Sequence, residues 1–322
     1  MRRVLILGGT GWLGRSIAQA AMQGGAEVTC LARGETGVVP EGAHLVRADR
    51  TQPDAYDDLA GDWDAVIEVS RDPEQVESAL QSLSSRAEHW TFVSTVSVYE
   101  CNDEPDADER ARVVEPIDKA DYAHAKVAAE RASRRHRGER LLIARPGLIV
   151  GPGDPTDRFG YWPARLHRGG RILTPTFADR WVQAIDVDDL ATWIVHAGLE
   201  GTTGTMNAVG TSVPFDEFMK LTADVAGFTE GFEQRDDGWL TDHEINYWAG
   251  PRSLPLWIPA TDAGFLQRNN ARYHAAGGTL RPLRDTIART LNDELERGRD
   301  RTRTAGLNVH DEALALSSDA QR

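Results

Sequence analysis

The stretch DYAHAKVAAE, residues 121–130, sets a phenol and an amine four residues apart, Tyr122 and Lys126. On a helix that spacing puts both side chains on one face, one turn from each other. Tyrosine ionises near pH 10, so acid–base work near neutrality needs positive charge beside it, and a lysine one turn along supplies that field. The chain has only three lysines, Lys119, Lys126 and Lys220, with arginine carrying the rest of its positive charge. A lysine kept in such a chain points to a task. His124 lies off that face, toward solvent. An exposed helical pair would show the same spacing, so the surroundings decide.

Upstream, HWTFVSTVSVYE (residues 89–100) reads as a strand rich in hydroxyls. Alternation sets Thr95 and Ser97 on one side and Ser94 on the other. A hydroxyl at the carboxyl end of a central strand can orient a substrate oxygen toward a tyrosine.

The chain opens on LILGGTGWLG, residues 5–14. Strand, glycine turn, then helix is the context that makes a glycine motif informative: one glycine for the turn, one for backbone approach to a pyrophosphate, one for helix packing. The helix N-terminus adds free N–H groups and partial positive charge. The loop Gly8, Thr10, Gly11, Trp12, Leu13 and Gly14 is therefore expected to hold a nicotinamide dinucleotide. At the end of the second strand, EVTCLARGE has Ala32 where an acid would bond the ribose of NAD, followed by Arg33. A missing acid beside an added base favours NADP over NAD. Asp49, ending the third strand, is an adenine-side candidate.

These residues need a frame. Apolar runs at 3–8, 27–32, 44–48, 64–70, 90–98 and 140–145 alternate with helical patterns at 12–24, 53–60, 73–86 and 118–137. Continuous apolar strands between helices predict an α/β fold, a Rossmann-like doubly wound parallel sheet covered on both faces. After residue 150 the texture turns rich in Gly, Pro, Arg and aromatics, with one helix near 160–168. A strand–helix unit returns over 181–199, where Asp186 and Asp188 suit a helix start. Helices are expected at 214–227 and 282–298, with an irregular aromatic stretch at 230–262. The expected division is a dinucleotide-binding domain of residues 1–150 plus about 180–200, a smaller mixed substrate lobe of 151–179 and 201–300, and a tail of 301–322, in which HDEALAL could dock as a short helix. In DRFGYWPAR, an arginine and two large aromatics follow the sheet, so Arg158, Tyr161 and Trp162 are candidates for the substrate wall.

With 322 residues and a formal charge of −14, the chain can bury a sizeable core and repels phosphate backbones and anionic lipid. A small-molecule substrate, not nucleic acid or membrane, is the expected partner. Two cysteines, Cys30 and Cys101, and no cluster at ligand spacing argue against a disulfide framework or a metal site and fit a cytoplasmic protein. No apolar stretch approaches a membrane span.

The motifs GGTGWLG, FVSTVSVY, YAHAK, RPGLIVGPGD, AIDVDDLA and GTMNAVG, spread in order over residues 4–210, resemble an extended short-chain dehydrogenase/reductase of the NAD(P)-dependent epimerase/dehydratase superfamily. The resemblance implies Tyr122 as catalytic acid/base and Lys126 as binder of the nicotinamide ribose. It places the catalytic hydroxyl at Thr95, sets Pro146 and Gly147 near the nicotinamide, and implies a homodimer packed through the Tyr122 helix. Two departures stand out: Glu100-Cys101 where the family often has glycine after VY, and Thr95 for the commoner serine, leaving Ser97 in reserve. Residues 261–291 look like the end of bacterial members called reductases or epimerases. The leading expectation is an NADP-dependent oxidoreductase hydride-transferring to or from a small carbonyl or alcohol. A nucleotide-sugar epimerase or dehydratase would use the same residues plus a cationic pocket, for which Arg158, Arg165 and Arg168 are available. A non-catalytic dinucleotide sensor, or an RNA-binding relative, typically lacks the Tyr–Lys pair.

Overall fold

The computed structural model describes residues 1–298 and 300–318. Seven parallel strands form the central sheet: β1 (Arg3–Leu7), β2 (Glu27–Ala32), β3 (His44–Arg47), β4 (Trp63–Glu68), β5 (Ala87–Val93), β6 (Leu141–Pro146) and, after three strands elsewhere, β10 (Gly204–Ala208). The three between are β7 (Leu148–Val150), β8 (Ile172–Pro175) and β9 (Trp181–Asp186). The spatial order is β10-β6-β5-β4-β1-β2-β3, so the chain reverses direction across the sheet between β1 and β4. That switch point is where a crevice opens at the carboxyl ends of the strands. The central strands read as unbroken apolar runs because both faces are covered: Val4, Leu5, Ile6 and Leu7 have no exposed surface.

One face is closed by α1 (Trp12–Gln23) and α5 (Val187–Leu199), the other by α2 (Pro73–Leu83) and α3 (Tyr122–Arg137). Asp121 caps α3 by accepting from the amides of Ala123 and His124, so this helix begins at Tyr122 and not at 118. The expected helix at 53–60 is a run of turns. There the chain wraps around the buried Arg50, which bonds the Tyr56 hydroxyl, in place of an apolar helical face. The hydroxyl-rich strand also stops early. β5 ends at Val93, and Thr95 caps a short turn by accepting from the Ser97 amide at 3.1 Å.

The second lobe has its own aromatic core. It is built from α4 (Arg158–Arg168), α6 (Phe215–Ala226), α7 (Asp237–Asp242), α9 (Leu283–Glu296) and α10 (Val309–Ser318), with short strands β11 (Ser212–Pro214), β12 (Phe232–Arg235), β13 (Asn246–Trp248) and β14 (Ser253–Pro255); α8 (Ala271–Ala275) packs instead on the sheet's core, Tyr273 against Trp193 of α5. Three details differ from the expected division, the place of α8 being the first. β10 pairs with β6, so residues 204–208 are sheet and not substrate lobe; their alternating Met206 and Ala208 extend the buried face. The expected tail packs back instead: Glu312 is buried against Arg165, and Ala315 and Leu316 join the lobe's core. Residues 319–322 lie outside the described residues. No helix among the described residues is long and apolar enough to cross a membrane.

Candidate active site

The glycine loop separates its tasks by geometry. Gly8 takes φ +101°, a conformation side chains resist, to turn the chain out of β1. A Cβ on Gly14 would stand 2.3 Å from the Gly8 carbonyl, so this glycine lets α1 press on the loop. A Cβ on Gly11 would meet nothing nearer than 3.7 Å, and its φ is an ordinary −69°. Nothing in the fold requires glycine at Gly11, yet the residue lines the groove. No side chain caps α1 and no acid sits in its first turn, leaving the amide N–H groups open to an anion. The residues fit a dinucleotide pyrophosphate. We expect Gly11→Ala to keep the melting temperature but weaken dinucleotide binding at least about tenfold by blocking close approach. Gly14→Ala should instead destabilise the fold by about 1–3 kcal/mol through overpacking. Thermal melts and a binding titration on both variants separate the two roles.

This groove has a volume of about 520 Å³ and reaches Arg33, Asp49 and Arg71. Arg33 is exposed and pairs with Glu35 at 3.3 Å. The Asp49 carboxyl is held below its usual range by hydrogen bonds from Thr51, with a smaller contribution from Arg33. Beneath them Arg50 grips Glu68 bidentately, and the Glu68 carboxylate also accepts from the Ser70 amide at 2.8 Å. Sequence reading missed this buried pair, although an acid ending an apolar strand was its signal.

Across the switch point a second cleft, of about 350 Å³, gathers Thr95, Tyr122, Lys126, Pro146 and Gly147 with Trp12 and Leu13 of the glycine loop. The structure thus brings together residues expected to bind cofactor and to do chemistry. The Lys126 ammonium is buried and donates to the carbonyls of Ser70 (2.9 Å) and Val93 (2.7 Å). Burial lowers its pKa to about 8, against the opposing pull of Glu68 and Glu130. An ammonium has three donors, so one remains for the cleft that Lys126 lines. Tyr122 keeps an open edge (45% exposed). Desolvation by the protein around it raises the phenol pKa, while the Thr95 hydroxyl and the fields of Arg158 and Arg71 pull it down. The Thr95 hydroxyl donates to Ser97 Oγ at 3.1 Å, so both hydroxyls serve one side, whereas Ser94 turns away to donate to Glu130 at 2.6 Å.

Glu130, one turn beyond Lys126, also accepts both Nε and Nη2 of Arg145 (2.9 and 2.7 Å). This buried pair pins α3 to β6 and thereby fixes where Tyr122 and Lys126 stand. Breaking it would leave an uncompensated buried charge.

The expected substrate wall is divided. Arg158 lines the Tyr122 cleft. Tyr161 and Trp162 do not. Trp162 is fully buried and donates to the Pro255 carbonyl, and Tyr161 packs against Gly306 at a separate cavity. They are core of the second lobe because the lobe's own helices need that apolar volume. Trp248, in the stretch read as irregular, and Phe265, just beyond it, line the cleft in their place, with no periodic signal that could have marked them.

The fold is similar to that of UDP-N-acetylglucosamine 4-epimerase from Bacillus cereus, at 13% identity over 95% of this chain and 100% of that one, TM-score 0.70. It is similar also to UDP-glucose 4-epimerase from Thermus thermophilus in complex with NAD (19% identity, 92% and 99% coverage, TM-score 0.64). A third similar structure is RMD from Pseudomonas aeruginosa complexed with NADPH (21% identity, 91% and 99% coverage, TM-score 0.62). A search of curated proteins finds no match. The NAD dependent epimerase/dehydratase family model matches residues 4–210, the glycine loop, the Tyr122 helix and β10 included, and this chain belongs to that family of NAD(P)-dependent epimerases, dehydratases and dehydrogenases.

Proposed function

We propose that the chain is an NADP-dependent oxidoreductase that moves a hydride between the nicotinamide and the carbonyl or alcohol of a small molecule. The observation that carries this reading is the convergence of Thr95, Tyr122 and Lys126 on a cleft that also touches the glycine loop. When bound, the nicotinamide supplies or takes the hydride. Thr95 holds the reacting oxygen, and Tyr122 gives or removes its proton. Lys126 grips the nicotinamide ribose with its remaining donor and favours the phenolate by its charge. Pro146 and Gly147 close the cleft beside the ring. Following nicotinamide absorbance across a panel of carbonyls, alcohols and nucleotide-sugars tests the reading: turnover with net change in absorbance supports it, and isomerisation of a nucleotide-sugar without net change supports the epimerase instead.

The epimerase reading draws on the fold neighbours, two of which are nucleotide-sugar epimerases by name. A substrate diphosphate needs converging cations. Of the three arginines available on α4, Arg165 is consumed by Glu312 and two carbonyls, and Arg168 lines the separate cavity. Only Arg158 reaches the cleft. The intact Tyr122–Lys126 pair counts against a silent sensor.

For the cofactor, Arg33 is the candidate for the 2′-phosphate. Its present partner Glu35 is an exposed one, and such pairs contribute little. A doubly charged phosphate is therefore expected to displace it. NADP should bind about tenfold to a hundredfold more tightly than NAD, as befits a charge-assisted contact, and Arg33→Asp should reverse the order. Equal affinities in the unaltered protein would remove Arg33 from this role.

A further inference from the structure

Arg158 is the first residue of α4, and its guanidinium is held without being neutralised. Nε donates to Thr156 Oγ1 at 3.3 Å, and Thr156 in turn donates to the buried Asp154 carboxylate at 3.0 Å. The guanidinium carbon stands 4.9 Å from the centre of the Trp248 ring. Neither contact uses the two terminal nitrogens, and Arg158 has no ion pair among the described residues. Desolvation lowers its pKa, and the fields of Asp154 and Tyr122 offset that only in part, as for a cation partly withdrawn from water.

The frame around it is strained on both sides. Asp157 and Trp248 are non-glycine residues with φ of +59° and +65°. Such conformations persist where the surroundings over-determine them, and they concentrate at ligand sites. Asp157 is held by the Thr304 amide at 2.8 Å and by Arg301 and Arg297. The Trp248 amide donates to the Trp257 carbonyl at 3.0 Å, and its ring meets Phe265 edge-on at 5.6 Å.

The cleft therefore offers an anion one fork of free N–H donors, beside an apolar wall of Trp248, Phe265 and Leu148, with Tyr122 and Thr95 on the same cavity. Among the described residues the one other cation lining this cleft is Lys126, already held by two carbonyls; Arg71 lines the neighbouring groove, and Arg180 is tied up by Asp237 and by the carbonyls of Thr176 and Ile258. We propose that Arg158 anchors a substrate carrying a single carboxylate, whose apolar body lies against Trp248 and Phe265 while its carbonyl or alcohol oxygen reaches Tyr122. This names the substrate class and rests on the oxidoreductase reading of the cleft. Pairing with the carboxylate would withdraw one of the positive fields that favour the Tyr122 phenolate, leaving the phenol protonated and fit to donate to a carbonyl.

The test measures binding apart from turnover. Small aliphatic and aromatic carboxylates, each matched with its carboxamide, are titrated calorimetrically into the NADP-loaded protein. Acids that fit should bind about tenfold to a hundredfold more tightly than their amides, the ratio of a charge-assisted contact. Arg158→Gln should bring that ratio near one and Arg158→Lys should restore part of it, while NADP affinity in both variants shows that the fold persists. Absence of acid preference throughout the panel, or its survival in Arg158→Gln, overturns the proposal. Acid preference without any turnover would leave the anchor standing and reject the oxidoreductase reading alone.

Discussion

Tyr122→Phe is expected to lower turnover by about 10²–10⁴-fold, the loss typical of a positioned acid/base. The change removes only the phenolic oxygen, and Tyr122 lies at the first turn of α3, where Asp121 supplies the cap and the ring edge is open. The fold should persist. Dinucleotide affinity should stay close to that of the unaltered protein, because Tyr122 lines the cleft of Thr95 and Lys126 and not the groove of Gly8, Arg33 and Asp49. Thr95→Ala should also damage turnover while sparing cofactor binding, and Thr95→Ser should be tolerated because only the hydroxyl is used. Single-turnover absorbance measurements at saturating cofactor read both. Wild-type turnover in Tyr122→Phe would reject hydride-transfer chemistry at this cleft and make a dinucleotide sensor the better description.

Lys126→Met is expected to act on two quantities at once. Turnover should fall by at least about tenfold and dinucleotide affinity should weaken, since the ammonium is proposed both to grip the ribose and to favour the phenolate. The pH dependence follows from a folded-state pKa lowered to about 8 from 10.5. Below pH 8 the amine is charged and can donate from all three hydrogens. As pH rises through 8 that charge is lost, so wild-type dinucleotide affinity should decline there, and Lys126→Met should show no such decline. Stability moves the other way. Between pH 8 and 10.5 the unfolded chain binds the proton that the folded protein has released, so Lys126 stabilises the wild type increasingly with pH over that window. Melting temperatures of the two proteins, compared from pH 7 to pH 10.5, should shift in favour of the wild type. A parallel pair of curves would mean that Lys126 titrates outside this range.

The residues whose chemistry depends on local spacing were legible. Tyr122 and Lys126 announce themselves by a one-turn separation, and the glycine loop by its place between a strand and a helix. Gly11 illustrates the strength of that reading, since no contact in the fold explains its lack of a side chain. What spacing could not supply was long-range pairing. The same alternation that marked β1 to β6 said nothing of β10, which joins the sheet some sixty residues after β6 (residues 204–208 beside 142–146). Tyr161 and Trp162 had the composition of a binding wall, but composition does not tell which face of α4 meets the lobe's other helices. Trp248 was unreadable for the opposite reason. Its position over Arg158 comes from a left-handed backbone turn and a distant carbonyl, neither of which leaves a periodic trace.

The two halves of this site have different histories in the life of one molecule. Every residue lining the glycine-loop groove lies between Gly8 and Gln75, so a ribosome delivers that half of the site before Thr95, Tyr122 or Arg158 is made. The turn that sets Arg158 cannot be completed until Arg301 and Thr304 have emerged to hold Asp157. A chain interrupted before residue 301 would still carry the groove's residues but would lack the clasp on the substrate side. If Arg158 anchors the substrate as proposed, the order of translation makes a late-made segment the gatekeeper of selectivity, and a proteolytic nick there should separate cofactor binding from substrate choice.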